Sequence, residues 1–483
     1  MLDILAAHSY FLALDPKQRE RARPYPPLAT LQAAALLRNR GHEVALFDTL
    51  FADPADFGAR VRERRPHLLV IYEDNYNFLT KMCLAAMRHA ACAMIRDARS
   101  VGARVIVGGS DATDDPLPYL ESGADAVLLG EGLVALQSLA ARLDASPTAP
   151  VAALVDGICG VAAAGCDRPA PSGLERPLAA RPAMAAWDLV DIERYRAVWN
   201  AAHGHFSLNM AASRGCSFRC AWCAKPIWGN QYLQRPAAEV ADELAYLART
   251  FSPDHIWFAD DIFGFRTDWV REFTAAARER GCRVPFTIQT RADLVSEAMA
   301  DALHEAGCRE AWLGAESGSQ RILDAMHKGL RVADILEARA RLAAAGIRVG
   351  FFIQLGYTGE QLADLLATRA LIEAAHPDQV GVSVSYPLPG TRFFEQVQAE
   401  LGAKSHWSDS GELAMMFGGT YTSDFYRAVR DLLHAEIDAH KHRPTAGAAP
   451  RDRVDLDRRW DTLIGRERDF RNAGAPYGRI AHG

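Results

Sequence analysis

Between residues 206 and 395 the chain repeats one pattern six times. A short run rich in apolar, β-branched or aromatic residues is followed by a stretch with helical spacing. The runs are FSLNMAAS, HIWFAD, VPFTIQT, EAWLGAES, RVGFFIQLG and QVGVSVSYP. Strands separated by helices pair in parallel, because each helix carries the chain back to the starting edge of the sheet. Six such units are too few to close an eight-stranded barrel, so the pattern predicts an open (β/α)6 partial barrel. In parallel α/β architectures sites collect at the carboxyl ends of strands. The polar residues there are Asp260, Asp261, Gln289, Arg291, Glu316, Ser317 and Gln354. Singly, each is as readily a helix cap or loop residue as a site residue.

The first 145 residues alternate in the same way. PPLATLQAAALLRNRGHEVALFD reads as a helix stopped at Gly41 and then a strand; PHLLVIY, VGARVIVGG and ADAVLLGEG read as strands, and LVALQSLAARL as a helix. Together they predict an α/β, doubly wound, Rossmann-like domain. Residues 146–205, rich in Ala, Pro and Gly, read as a connector with at most a small hairpin. Residues 396–483 read as a mostly helical C-terminal region, ending in a charged tail whose Trp460 and Phe470 are expected to be peripheral.

At 483 residues the chain exceeds one core and implies two or three domains. Its formal net charge of −6 gives no reason to expect nucleic acid or an anionic membrane as the main partner. No apolar run reaches the ~20 residues of a membrane helix. The segment MLDILAAHSYFLALDPKQRERARP lacks a basic leader region and cleavage site, so a cytoplasmic location is expected.

Nine cysteines are present, and three of them, Cys216, Cys220 and Cys223, fall within SRGCSFRCAWCAKP. The others (Cys83, Cys92, Cys159, Cys166, Cys282, Cys308) are scattered and fit reduced thiols better than a disulfide framework. The triad has the spacing C-x3-C-x2-C and follows the first strand of the second domain. Thiolates favour zinc, copper(I) or iron–sulfur clusters. A structural zinc needs a fourth ligand, for which only His203 and His205 lie near in sequence. A four-iron cluster on three cysteines instead leaves one iron open to bind a small molecule.

In the first domain, Gly108-Gly109-Ser110 and Gly130-Glu131-Gly132 put glycine at two neighbouring strand ends. There the backbone can approach a large flat ligand, or simply turn tightly. Pro26-Pro27-Leu28 precedes the first helix on the same edge, and Tyr72 ends the PHLLVIY strand.

The triad, with Trp222 at its aromatic position, resembles the signature of the radical S-adenosylmethionine (SAM) superfamily. HIWFADDIFGF, WLGAESGSQRILDAMHKG, GIRVGFFIQLGYTGE and SYPLPGTRFF resemble that family's later strand-end blocks in order. The resemblance implies a 4Fe–4S cluster held by Cys216, Cys220 and Cys223, and SAM contacts from Trp222, Asp260, Arg291, Glu316, Ser317 and Gln354. The family's usual amino-group motif, glycine-rich with a Glu, is replaced here by ADD. PYPPLATLQAAALLRNRGHEVALFD, PHLLVIYEDN, RVIVGGSDATDDP and ADAVLLGEG are similar to the cobalamin-binding domain that precedes the radical SAM domain in one large subclass. That likeness implies cobalamin contacts from Pro27, Leu28, Tyr72, Gly108, Gly109, Ser110, Gly130, Glu131 and Gly132. The D-x-H-x-x-G motif of other cobalamin domains is absent, since Asp3 and His8 have the wrong spacing.

Such a combination implies reductive cleavage of SAM to a 5′-deoxyadenosyl radical and transfer of a methyl group from methylcobalamin to an unactivated carbon or phosphorus. The C-terminal block WSDSGELAMMFGGTYTSDFYR is also similar to relatives of anaerobic magnesium-protoporphyrin monomethyl ester cyclase. A cyclase-like or other oxidative reaction without net methylation is therefore the alternative. A small-molecule or natural-product substrate and a one-electron reductant such as flavodoxin or ferredoxin are the implied partners. Tyr357, Tyr386 and Phe351 read as core or pocket wall.

Overall fold

The computed structural model describes residues 1–77, 84–163, 184–223, 230–402, 413–441 and 451–472. Cys83 and Cys166 lie outside the described residues. The first sheet comprises β1 (Asp3–Ala7), β2 (Glu43–Phe47), β3 (Leu68–Tyr72), β4 (Arg104–Gly108), β5 (Ala126–Leu128) and β6 (Val161–Ala162). Its order is β2-β1-β3-β4-β5-β6, parallel throughout except that β6 runs antiparallel to β5. Successive residues of a strand point to opposite faces. Accordingly Ile4, Leu68 and Val70 enter one buried cluster, and Leu5, Leu69 and Ile71 the other. Both faces are covered, as expected of a doubly wound sheet.

Three elements escape the sequence reading. β1 is only DILAA, five residues of which two are alanine, yet it lies between β2 and β3. Within the stretch read as connector, β6 extends the first sheet, and Ile192–His203 forms a helix with Ile192, Tyr195 and Trp199 buried.

The second half opens with β7 (Ser207–Met210), followed by a small antiparallel pair, β8 (Ser213–Gly215) and β9 (Tyr232–Gln234). Then come β10 (His255–Phe258), β11 (Phe286–Thr290), β12 (Cys308–Glu316), β13 (Arg348–Leu355) and β14 (Gln379–Val384). The order β14-β13-β12-β11-β10-β7 is parallel throughout, and the outer strands β7 and β14 are not paired with each other. This is the expected open six-stranded half-barrel. Its covering helices are amphipathic: Ala237–Phe251 buries Val240, Ala241, Leu244 and Leu247, one stripe at three-to-four spacing.

The C-terminal region is less peripheral than its charge suggests. Trp460, in the helix Arg451–Gly465, is fully buried and donates from Nε1 to Glu436 Oε1 at 3.0 Å. Glu436 is itself buried and paired with Arg369 and Arg453. An apolar indole thus packs over charges that satisfy one another, so local composition misleads. Among the described residues no helix is long and apolar enough to cross a membrane.

The segment ahead of the helix Leu28–Arg38 docks on the half-barrel. Asn209 Nδ2 donates to Pro26 O at 3.0 Å, and Trp199 Nε1 to Pro24 O at 2.7 Å. Tyr25 packs between the rings of Trp199 and Trp257. Leu28 and Leu31 belong to the same buried cluster as Phe206 and Leu208, so one apolar core runs through the junction.

Candidate active site

β7 ends at Met210, and the chain leaves the sheet. Asp260, just beyond β10, holds the departing strand. It accepts from Ala212 N at 3.0 Å and from Ser213 Oγ. Burial pushes its carboxyl up to about 7, against hydrogen bonds from Ser213 and Ala212 that pull it down. The β8–β9 ladder then closes the excursion at its base, pairing Gly215 with Tyr232. Cys216, Cys220 and Cys223 follow in that excursion; Cys216 is buried, the other two half-buried. Two backbone bonds pin it over the half-barrel: Ala221 N donates to Met326 O at 2.8 Å, and Phe393 N to Ala221 O at 3.0 Å. The residue between Cys220 and Trp222 is thereby tied to segments following β12 and β14.

The zinc alternative fails on geometry. His203 and His205 precede β7 and Cys216 follows it, so a four-residue strand at about 3.3 Å per residue separates them. His203 Nε2 lies 3.1 Å from the carbonyl oxygens of Arg21 and Ala22. Three thiols in one loop are a donor set suited to an iron–sulfur cluster.

Behind Cys220 stands a charged network. Arg291, just past β11, is 4% exposed, and its Nη1 approaches Cys220 Sγ at 3.8 Å. Its guanidinium lies 3.7 Å over the Phe218 ring, Nη2 donates to Lys328 O at 2.8 Å, and Asp293 pairs with it. Lys328 is buried and donates from Nζ to Glu316 Oε1 at 2.7 Å. Burial would lower its pKa, but Glu316 and then Cys220 outweigh that and the net shift is upward. A Cβ at Gly314 would meet both Glu316 Oε1 and Lys328 Nζ at 2.7 Å, so glycine makes the room in which this ion pair lies. Glu316 itself has φ +62°, a conformation rare outside glycine and tolerated here at a break in the β12–β13 register.

The neighbouring strand ends carry polar atoms with nothing to bond among the described residues. Gln354 Oε1, at the end of β13, and Ser385 Oγ, just past β14, are buried without a hydrogen-bond partner; so is Trp222 Nε1. Burying an unpaired polar atom costs about 1–3 kcal/mol, which a polar ligand would relieve. These atoms fit SAM. Ser317 is fully buried and its Oγ accepts from Ser319 N at 3.1 Å, shaping the turn after β12. Phe351 and Tyr357 are core, Tyr357 stacking on Phe393, while Tyr386 is half-buried.

The first sheet faces the junction with the loops after β1, β3, β4 and β5. Strand order reverses between β1 and β3, the position where open α/β sheets form their crevice. Asp74 accepts from Ala29 N at 3.0 Å, Thr30 Oγ1 donates to Tyr72 O at 2.6 Å, and Tyr72 Oη donates to Glu131 O at 2.7 Å. The glycines work locally. A Cβ at Gly109 would meet Glu73 Cγ at 2.6 Å, and one at Gly132 (φ +64°) would meet Leu128 Cβ at 2.5 Å. At Gly108 the neighbours are Leu128 and Tyr72. Gly130 also has positive φ, at +81°. These residues let the loops fold on themselves; the space in front of Gly109 and Gly132 is already protein. Pro27 and Leu28 are buried at the domain junction. Among the described residues, the atoms left without partners are instead Asn75 Nδ2 and Oδ1 and Ser110 Oγ, on adjacent strand ends. They fit a large ligand edged with amides, as cobalamin is. His8 is engaged within the domain, its ring nitrogens 2.9 and 3.0 Å from Thr49 Oγ1.

Arg214, in β8, forms an ion pair with Glu131 across the junction, both side chains 2% exposed. Sequence reasoning named Glu131 but not Arg214, Lys328, Ser385 or Asn75. Arg214 and Lys328 lie inside the quoted SRG and HKG stretches, and Asn75 inside EDN, so the only signal was adjacency to motifs.

Comparison with known proteins agrees with this geometry. Residues 19–140 match the B12 binding domain and residues 210–372 the Radical SAM superfamily. The chain is thus a radical SAM protein that carries a B12-binding domain ahead of its radical SAM domain, and its cofactors are a 4Fe–4S cluster, SAM and cobalamin. Over 386 residues it is 25% identical to a Pyrococcus horikoshii protein named as an uncharacterized methyltransferase, covering 77% of this chain and 78% of that one. The radical SAM methyltransferase TsrM from Kitasatospora setae, solved with tryptophan and a SAM analogue, has a TM-score of 0.66 at 20% identity, over 83% of this chain and 76% of that one. The cobalamin-dependent SAM radical enzyme OxsB, solved with aqua-cobalamin and SAM, has a TM-score of 0.66 at 16% identity, over 95% and 71%. At these identities the two structures establish the fold.

Proposed function

We propose that the protein is a cobalamin-dependent radical SAM methyltransferase that methylates an unactivated carbon, or phosphorus, of a small-molecule or natural-product substrate. The observation that carries this reading is the meeting of the two strand-end sites through Arg214 and Glu131, with the cysteine loop on one side and the Asn75–Ser110 edge on the other. Together the bound cofactors supply one-electron cleavage of SAM and a carrier for a methyl group, chemistry that no side-chain acid or base provides at neutral pH.

The chain's own part is to bind, orient and exclude. Cys216, Cys220 and Cys223 would hold the cluster and leave one of its irons open to SAM. Gln354, Ser385, Trp222 and Glu316 address SAM, and Asn75 and Ser110 address the amide rim of the corrin. The apolar core running through the junction keeps water out of the interval between them. A one-electron donor of the flavodoxin or ferredoxin class serves the cluster, in the cytoplasm. The cyclase-like alternative has no specific observation in its favour.

The test is anaerobic turnover with SAM labelled in its methyl group and a panel of candidate substrates. Label in the product is the expected result. A product that is oxidised or cyclised and unlabelled overturns the reading.

A further inference from the structure

Arg291 contacts the thiol sulfur of Cys220. Three features make it a built contact. The guanidinium is 4% exposed, it is clamped flat on Phe218 at 3.7 Å, and it is fixed in plane by Asp293 and by Lys328 O. Nε and Nη2 serve those partners, and Nη1 is turned to Cys220 Sγ at 3.8 Å. Cys220 stands in the middle of the triad, on the segment tied down by Ala221.

We infer that Arg291 is a redox-positioning residue: by donating an N–H to Cys220 and holding a buried positive charge beside it, it raises the midpoint potential of the cluster. This rests on the cluster reading of the triad. The physical reason is direct. One electron passes from an external one-electron donor to the cluster, which gains one negative charge. A hydrogen bond to the ligating sulfur and a cation at short range both stabilise the more negative state, and hydrogen bonds to sulfur, net charge and solvent exposure are what set cluster potentials. Asp293 opposes this. Its carboxylate pairs bidentately with Arg291 and offsets part of that charge.

The opposition gives the inference a signature that a purely structural role lacks, because the two partners of one ion pair should move the potential in opposite directions. Anaerobically reconstituted protein would be titrated with dithionite and mediators, and the reduced cluster followed by EPR. Arg291→Met should lower the fraction reduced at a fixed potential about tenfold, which is about 59 mV for one electron. Asp293→Asn, which leaves the arginine in place, should raise it. Arg291→Lys keeps the charge but not the planar fork and should fall between wild type and Arg291→Met. Iron content, at about four per chain, is measured first on every variant. If Arg291→Met does not hold iron, Arg291→Lys and Asp293→Asn decide the question. Unchanged potentials in the iron-loaded variants, or shifts of the same sign for Arg291 and Asp293, overturn the inference. Wild-type protein that takes up no iron overturns the cluster reading itself, a failure visible before any potential is measured.

Discussion

Glu131, in the loop after β5, and Arg214, two residues ahead of Cys216, form an ion pair buried across the junction of the two sheets. Neither charge reaches solvent, so each depends on the other. Burial lowers the pKa of Arg214, which is the desolvation that its partner must offset. The pair therefore registers the two cofactor sites against each other more than it adds net stability.

Removing one partner leaves the other buried and unpaired. Glu131→Leu or Arg214→Met alone should cost about 3–5 kcal/mol, and the double variant Glu131→Leu/Arg214→Met clearly less than the sum. Urea denaturation of the four proteins of this cycle measures it. Strictly additive losses would show that the two residues are not coupled.

Replacing Cys216, Cys220 and Cys223 together by alanine should abolish iron binding and charge-transfer absorption after anaerobic reconstitution. Cys282→Ala and Cys308→Ala should keep the iron. Cys308 opens β12 and Cys282 lies ahead of β11, both at the amino end of the half-barrel, remote from the loop. A triple variant with full iron, or a protein holding only zinc, contradicts the site.

Gln354→Leu and Ser385→Ala remove buried polar atoms that have no hydrogen-bond partner among the described residues. The apoprotein should be as stable as wild type or more so, while SAM affinity falls about two- to a hundredfold for roughly 0.5–3 kcal/mol lost. Thermal denaturation and equilibrium binding, run side by side, check both arms. Lost stability with unchanged SAM affinity would make these residues structural.

Asn75→Leu should leave the first domain folded and reduce the cobalamin that co-purifies or binds on reconstitution. Gly109→Trp and Gly132→Trp should act differently, by destabilising the domain, because the added side chain meets Glu73 or Leu128 before any ligand. Circular dichroism melts with cobalamin absorption separate the two effects. Asn75→Leu protein that binds cobalamin like wild type removes that residue from the site.

His255 bridges three strands: Ser207 Oγ lies 2.8 Å from Nδ1 and Thr287 Oγ1 2.9 Å from Nε2. Burial, then the neighbouring His205 and Arg348, lowers its pKa to about 4. Since the unfolded chain binds the proton more readily, this contribution is present above about pH 6.5 and is lost as the pH falls toward 4. At most about 3 kcal/mol is involved. His255→Gln should flatten that part of the stability–pH curve, measured by urea titration at stepped pH. A slope identical to wild type would place the acid lability elsewhere.

The cysteine spacing, the six strands of the half-barrel and the strands of the first sheet from β2 to β5 were legible in the sequence. They depend on local signals: ligand spacing, apolar runs and glycine stops. Asp260 and Arg291 were legible as strand-end residues but not in what they touch. The fold turns one to the loop amides and the other to Cys220, choices made by partners 48 and 71 positions away. The glycines after β4 and β5 were visible, but the reason for Gly109 was not, since Glu73 fills the space in front of it only once β3 and β4 lie side by side. Lys328, Ser385, Asn75 and Arg214 carry no pattern of their own. What singles them out is burial beside an unpaired atom or an opposite charge, and burial exists only after distant segments have packed.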